Sequence, residues 1–356
     1  MSQAPHRFNE IDLLRGIACA AVVVFHYLSR APRANWISHA SFPAIDAVAR
    51  YGYLGVHLFF VISGFVILMS AQGASPREFV ASRVARLFPA LWVAATITAG
   101  TAWLLAEPRF AISLPHYLVN LTLLPHWFGV PYVDGAYWSL AVELHFYIYV
   151  WLALRLKQMH RLEWLLVGWL CVSGLNAFRP AWPLEFWLDA KWAPLFVAGG
   201  TFFLIRTRGL TRLRGAMLFA SWALAVLYVV RNSVLDSGTS PWICAGVITA
   251  IFAIFLAIAF DRWRMASSRL TKIAGALTYP VYLVHEYFGC MLYGVLRGVI
   301  DNTPIVLGIT TLVVVVISWT IHRYVEIITG PKLRKMIAGR SGIPSLPPAG
   351  VYDRRD

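Results

Sequence analysis

A chain of 356 residues that is 59% hydrophobic and only 13% charged is not a soluble globular protein, which would carry about 25% charge. It reads as an all-α polytopic membrane protein. The net charge of +14 does not point to nucleic acid, because the basic residues sit mainly in short loops between apolar runs. The four cysteines, Cys19, Cys171, Cys244 and Cys290, all fall inside such runs. No CxxC and no close Cys/His spacing occurs, so neither a disulfide framework nor a metal site is expected.

Apolar runs of about twenty residues suffice to span a bilayer. Ten are present: about 11–29, 52–71, 88–106, 137–156, 162–178, 186–205, 216–233, 241–260, 273–297 and 303–322. The sixth is the weakest, because Asp189 and Lys191 shorten it. An even number puts both termini on one side, and the positive-inside rule places that side in the cytoplasm. The inward segments then hold most of the 31 Lys and Arg, as in "RTRGLTRLRG" (206–215) and "DRWRMASSRLTK" (261–272). Residues 1–339 form a single membrane domain, and the Pro/Gly-rich 340–356 is expected to be a disordered cytoplasmic tail. No internal repeat is visible.

The first run, with "LLRGIACAAVVVFHY", lacks a small-residue cleavage site and reads as a retained helix. It holds Arg15 and His26. At about 100° per residue their spacing puts both on one face, roughly 16 Å apart along the axis. Asp12 and Cys19 join the same stripe. Ionisable groups in a spanning helix usually face a protein interior and mark a site. The plainer reading is that Arg15 snorkels inward and His26 packs near the outer face.

The second run, "GYLGVHLFFVISGFVI", carries Gly52, Gly55 and Gly64, which permit close helix approach. Ser63 offers a hydrogen bond there, although packing alone explains the motif. "PREFVASRVARLF" (76–88) is amphipathic and basic, with Pro76 at a helix start. It should lie along the cytoplasmic interface before the third span. Its Arg83 and Arg86 serve either anionic lipid or an anionic cytosolic ligand, since paired guanidinium groups suit phosphate. The outer stretch 112–129 is broken by Pro115 and Pro125 and reads as interfacial or re-entrant.

The fourth run opens "YWSLAVELHFYIYV". Ser139, Glu143 and Tyr147 share a face, and Glu143 falls near the depth of His26 in the oppositely directed first helix. A carboxylate at that depth would fix the tautomer of an imidazole and raise its basicity. A structural Glu paired with an Arg is the alternative. His145 lies off this face and reads as a packing residue. The ninth run carries "YPVYLVHEYF", with Tyr279, Tyr282 and Glu286 at helical spacing and His285 beside them. Pro280 should kink this helix and free backbone groups for a polar cavity. A satisfied buried network is the simpler outcome.

"IDLLRGIACAAVVVFHY", "GYLGVHLFFVISGFVI", "RVARLFPALW", "WSLAVELHFY" and "YPVYLVHEYF", in this order over residues 11 to about 290, resemble the acyltransferase-3 family of integral membrane proteins. The resemblance is to its stand-alone form, without a fused esterase-like domain. It implies a ten-helix membrane enzyme that moves acyl groups, most often acetyl from acetyl-CoA, onto hydroxyls of carbohydrates or related acceptors. By this resemblance His26 matches the essential histidine and Arg15 its partner arginine. Arg83 and Arg86 match the arginines linked to donor binding. Ser139, Glu143, Tyr282 and His285 match recurrent motif positions. One departure is at the end of the last helix, where "VEIITGPKLRK" separates Glu326 from Pro331 and leaves Glu326 without an assigned role.

Acyl transfer to an alcohol needs a base, stabilisation of an oxyanion and a place for the CoA phosphates. His26 is the expected base, oriented by Glu143 or Asp12, with Glu143 favoured by depth. Arg15 would contact the donor, and Arg83 and Arg86 would hold its nucleotide end. Asp12, Ser63, Ser139, Tyr147, Tyr282 and His285 would bind substrate or support the site. The implied partners are acyl-CoA, a carbohydrate or other hydroxyl acceptor, and the lipid bilayer of a bacterial cytoplasmic (inner) membrane. The rival is a proton-coupled secondary transporter, which would use the same intramembrane Asp, Glu, His and Arg as a relay. A receptor or scaffold without catalysis is a third class.

Overall fold

A computed structural model describes residues 8–37, 42–235 and 238–339. The tail at 340–356 lies outside the described residues. The described chain is helical, and every one of the ten expected runs falls on helix. In chain order the long helices are α1 (Asn9–Phe25), α2 (Gly55–Ala71), α3 (Pro76–Leu105), α4 (Tyr137–Arg155), α5 (Leu162–Phe178), α6 (Ala193–Arg208), α7 (Arg212–Leu235), α8 (Pro241–Ala259), α9 (Arg269–Val284), α10 (Tyr287–Arg297), α11 (Thr303–Thr320) and α12 (Ile327–Ala338). Among the described residues six helical stretches are long and apolar enough to cross a membrane, or eight if each of two bent pairs is one span. Large apolar side chains such as Leu104, Phe178 and Trp242 are exposed on these helices, which suits lipid as the surrounding solvent.

Three expectations are corrected. Residues 76–88 are not a separate interfacial helix. They are the first turns of α3, which runs unbroken for 30 residues with Pro89 inside it. At 1.5 Å per residue α3 is about 45 Å long, more than the roughly 30 Å hydrocarbon core, so one end stands clear of it. The ninth run is two helices, α9, with Pro280 inside it, and α10, parted at His285 and Glu286. The last run does not stop near residue 322. It continues through a wider π-helical turn, Ile321–Glu326, into α12.

The chain divides into two compact units. The first contains Met1–Gly52, Val80–Ala141 and Ser267–Asp356, so α1, most of α3, α9, α10, α11 and α12 belong to it. Its centre is the pair α1 and α9, which run side by side in the same direction. Small residues bring the two backbones together. A Cβ on Gly16 would meet the Cβ of Ala274 at 2.7 Å, and one on Gly275 would meet the Asp12 carboxylate at 2.5 Å. Further along, the Cys19 thiol donates to the Thr278 carbonyl (3.5 Å). The stripe read from the sequence on α1 is therefore the face turned to α9.

The second unit contains Tyr53–Phe79 and Val142–Ala266. Its core is α6, buried at every residue from Ala193 to Ile205. Gly64 of α2 and Gly199 of α6 face each other, with the Val61 carbonyl against Gly199 and the Phe196 carbonyl against Gly64. Phe60 stacks on Phe196 (4.8 Å between centroids) and Phe146 on Trp169 (5.5 Å). The weak sixth run, expected to be shortened by Asp189 and Lys191, is interrupted at 189–192, with helix on both sides. Trp182–Leu188 and α6 meet at a 42° bend, and Asp189 has a positive φ of 45°. His145 of α4 bonds the Asp189 carboxylate (2.7 Å), and Trp169 donates to the Leu188 carbonyl (2.7 Å). Replacing Gly199 by Leu should cost at least about 1–3 kcal/mol, because its new Cβ meets a backbone oxygen that has nowhere to move. The midpoint of thermal unfolding in detergent checks this, with Gly174→Leu, where a Cβ meets nothing within 4 Å, as the control.

Candidate active site

The site forms in the first unit at the break between α9 and α10. A helix interrupted at membrane depth frees carbonyls at one end and N–H groups at the other, and each needs a partner. The Leu283 carbonyl accepts from the Tyr137 hydroxyl (3.0 Å), and the His285 carbonyl from the Tyr27 hydroxyl (2.6 Å). At the start of α10 the Tyr287 N–H donates to the Asp134 carboxylate (2.9 Å). The other Asp134 oxygen accepts from the Ala136 N–H (3.0 Å). Burial pushes the Asp134 carboxyl up, against the pull of those two N–H groups and of Arg30. Its loop is held by Asn120, which donates to the Pro131 carbonyl and accepts from the Val133 N–H, both at 2.9 Å.

Against this break lies a π-helical turn, His26–Arg30, that continues α1. Such turns widen the helix by one residue and recur at functional sites. His26 is buried, and its Nδ1 is 2.8 Å from His285 Nε2. His285 Nδ1 is 2.9 Å from the Tyr282 carbonyl. A carbonyl only accepts, so His285 Nδ1 carries the hydrogen. In the neutral ring His285 Nε2 then accepts, and His26 Nδ1 donates to it. His26 Nε2 is left with its lone pair. The chain of two imidazoles thus sets which nitrogen of His26 is basic. That nitrogen is 3.5 Å from Glu286 Oε1, which is 3.4 Å from an Arg30 guanidinium nitrogen.

The structure joins some of the sequence-predicted residues and parts others. His26 and His285 meet directly. Ser139 and Tyr282 share a 2.6 Å hydrogen bond beside them. Asp12 does not orient His26. It lies fourteen residues before it on α1, about 21 Å along the axis, and pairs with Arg15 (3.9 Å). The carboxylate beside His26 is Glu286; Glu143, in the second unit, accepts from the Tyr147 hydroxyl (2.5 Å). Ser63 is buried on α2, also in the second unit. Arg83 donates to Ser82 (3.1 Å). Arg86 pairs with Glu326 (3.2 Å) and lies over the Tyr279 ring, 5.3 Å from its centroid. His322 donates to the second Glu326 oxygen (2.6 Å). Glu326 thus has a structural partner in spite of its distance from Pro331.

Sequence reasoning places Glu286 on the polar face of the ninth run without giving it a role, and it does not name Arg30, Asp134, Tyr27 or Glu326 as site residues. Arg30 stands four residues after His26, and Glu286 directly follows His285. Those spacings were the available signal. Among the described residues no group of three His, Cys, Asp or Glu has the arrangement of a metal site.

A family model described as an acyltransferase domain, that of acyltransferase-3, matches residues 8–323. The chain is 28% identical over 309 residues to a protein of Komagataeibacter xylinus provisionally named membrane-bound transacylase BcsY, covering 79% of this chain and 72% of that one. It is 26% identical over 331 residues to nodulation protein 10 of Rhizobium leguminosarum bv. viciae (79% and 82% covered). It is 29% identical over 318 residues to acyltransferase MdmB of Streptomyces mycarofaciens (81% and 80%). No solved structure matches.

Proposed function

Because the chain belongs to the acyltransferase-3 family and is a membrane acyltransferase, we propose that it moves an acyl group, acetyl foremost, from acyl-CoA to a hydroxyl of a carbohydrate such as an O-antigen, exopolysaccharide or glycolipid. The family match leaves the transporter reading without support. The observation that carries the proposal is the Tyr282–His285–His26 chain, which leaves one basic nitrogen on a buried histidine.

In this reading the acceptor hydroxyl gives its proton to His26 Nε2 as its oxygen attacks the thioester carbonyl. The carbon–sulfur bond then breaks, and the imidazolium returns the proton to the departing CoA sulfur. Direct transfer is favoured over an acyl-imidazole, which a wet cavity would hydrolyse. Arg83 and Arg86 hold the donor phosphates. Tyr279, under Arg86, and His285, against His26, are six residues apart near the end of α9, about 9 Å along the helix. The donor must cover at least that span from its nucleotide grip to the base. Arg15, some 16 Å from His26 on α1, meets the donor away from the reacting carbon. Ten spans, both termini in the cytoplasm and a bacterial inner membrane complete the proposal.

Two measurements test it. In purified protein, His26→Ala should abolish acetyl transfer from labelled acetyl-CoA while acetyl-CoA binding and thermal stability stay near wild type. Arg83→Ala, Arg86→Ala and Glu326→Gln should raise KM for acetyl-CoA more than they lower kcat, and Arg→Lys should rescue only in part, because a point charge lacks the fork. Full activity in His26→Ala removes the mechanism. For topology, in a background with all four cysteines replaced, Phe128→Cys should react with an impermeant reagent from outside, and Ser267→Cys only after the membrane is opened. The reverse pattern inverts the orientation.

A further inference from the structure

Glu286 is fully buried (0% exposed), and neither carboxylate oxygen has a hydrogen-bond partner. A buried carboxylate without hydrogen bonds is costly, so its position calls for a compensating interaction. Two cationic or cation-forming groups meet its Oε1: Arg30 at 3.4 Å and His26 Nε2 at 3.5 Å. Both come from the same π-helical turn, four residues apart, a spacing that puts them on one side of the helix. Gly135 makes room for the carboxylate, since a Cβ there would meet both oxygens at 2.8 Å. The acceptor cannot bind Glu286 directly, because its oxygens are closed to anything outside. Whatever it does in the reaction it does through His26.

We propose that Glu286 is a positioning residue for acyl transfer, whose carboxylate stabilises the imidazolium that forms at His26 Nε2. The proposal rests on His26 being the base. With His26 neutral, Nε2 presents a lone pair to the carboxylate and the contact is not attractive, so Arg30 balances Glu286. Once the acceptor O–H bond breaks and the N–H bond forms, a positive ring faces a fully buried negative carboxylate. The interaction is then stronger in the transition state than in the ground state, which is the condition for a contribution to rate. Glu286 takes no proton. The proton passes from acceptor to Nε2 and from Nε2 to the CoA sulfur as the carbon–sulfur bond breaks.

The test uses the full chain purified in detergent, with acetyl-CoA as donor, water as the acceptor and released CoA thiol as the readout. Glu286→Gln should lower kcat by about tenfold to a hundredfold, with KM for acetyl-CoA within about twofold of wild type. Glu286→Asp should recover part of the loss. If Glu286 merely balanced Arg30, the double variant Arg30→Gln/Glu286→Gln would regain the wild-type rate. The proposal expects it to stay as slow as Glu286→Gln. Should Glu286→Gln not fold, as judged by its thermal transition, Glu286→Asp carries the test through a smaller fall in kcat at unchanged KM. A wild-type kcat in the Glu286 variant while His26→Ala is inactive overturns this proposal alone. No turnover in the wild type, or full turnover in His26→Ala, removes the reading beneath it and the proposal with it.

Discussion

The site depends on a helix that stops where a membrane helix should continue. In hydrocarbon an unsatisfied backbone group costs several kcal/mol, so a break survives only where protein groups replace the lost bonds. Between α9 and α10 those groups are Tyr27, Tyr137 and Asp134. Each comes from a different part of the first unit, so closing the break also draws α1, the 107–136 loop and the start of α4 together. His285 and Glu286 are the two residues at the break, and both point at His26. Repair of the backbone and assembly of the chemistry take place at the same break.

The second constraint is how near α1 and α9 can come. Gly16 sits against Ala274, Gly275 against Asp12, and Gly289 of α10 against the Tyr27 hydroxyl. In lipid, close approach of small residues replaces the hydrophobic drive that holds helices together in water. Larger side chains at these glycines would spread the helices. A shift of an ångström would separate His26 from His285 and release the tautomer that their 2.8 Å bond sets.

Much of this was legible in the sequence. The ten apolar runs gave mostly helix, and Asp189 and Lys191 marked the place where the sixth is interrupted. His26, His285, Tyr282 and Ser139 were each singled out by charge or polarity in an apolar context. What spacing cannot supply is which helix lies beside which. His26 and His285 are 259 residues apart, and no period links them. Depth was the guide that favoured Glu143, and depth sets a level along the membrane normal but not a direction around it. The π-helical turn was invisible as well, because the 3.6-residue period used to read α1 fails at the residues where the turn widens. The basic stretch 76–88 looked like a separate interfacial helix because its charges stop before Pro89. In the fold Pro89 is accommodated inside α3, which runs on through it.

The two arginines read as a pair are not equivalent in the fold, and the difference follows from guanidinium chemistry. Arg86 is held in place by the ring of Tyr279 and by Glu326, itself fixed by His322 from the π-helical turn after α11. One nitrogen of a five-donor fork serves Glu326, so other N–H groups keep a fixed direction. Arg83 donates to Ser82 on its own helix (3.1 Å). Glu326 also offsets part of the local positive charge, which limits attraction to anionic lipid. Its presence beside Arg86 therefore fits a shaped ligand better than a membrane surface.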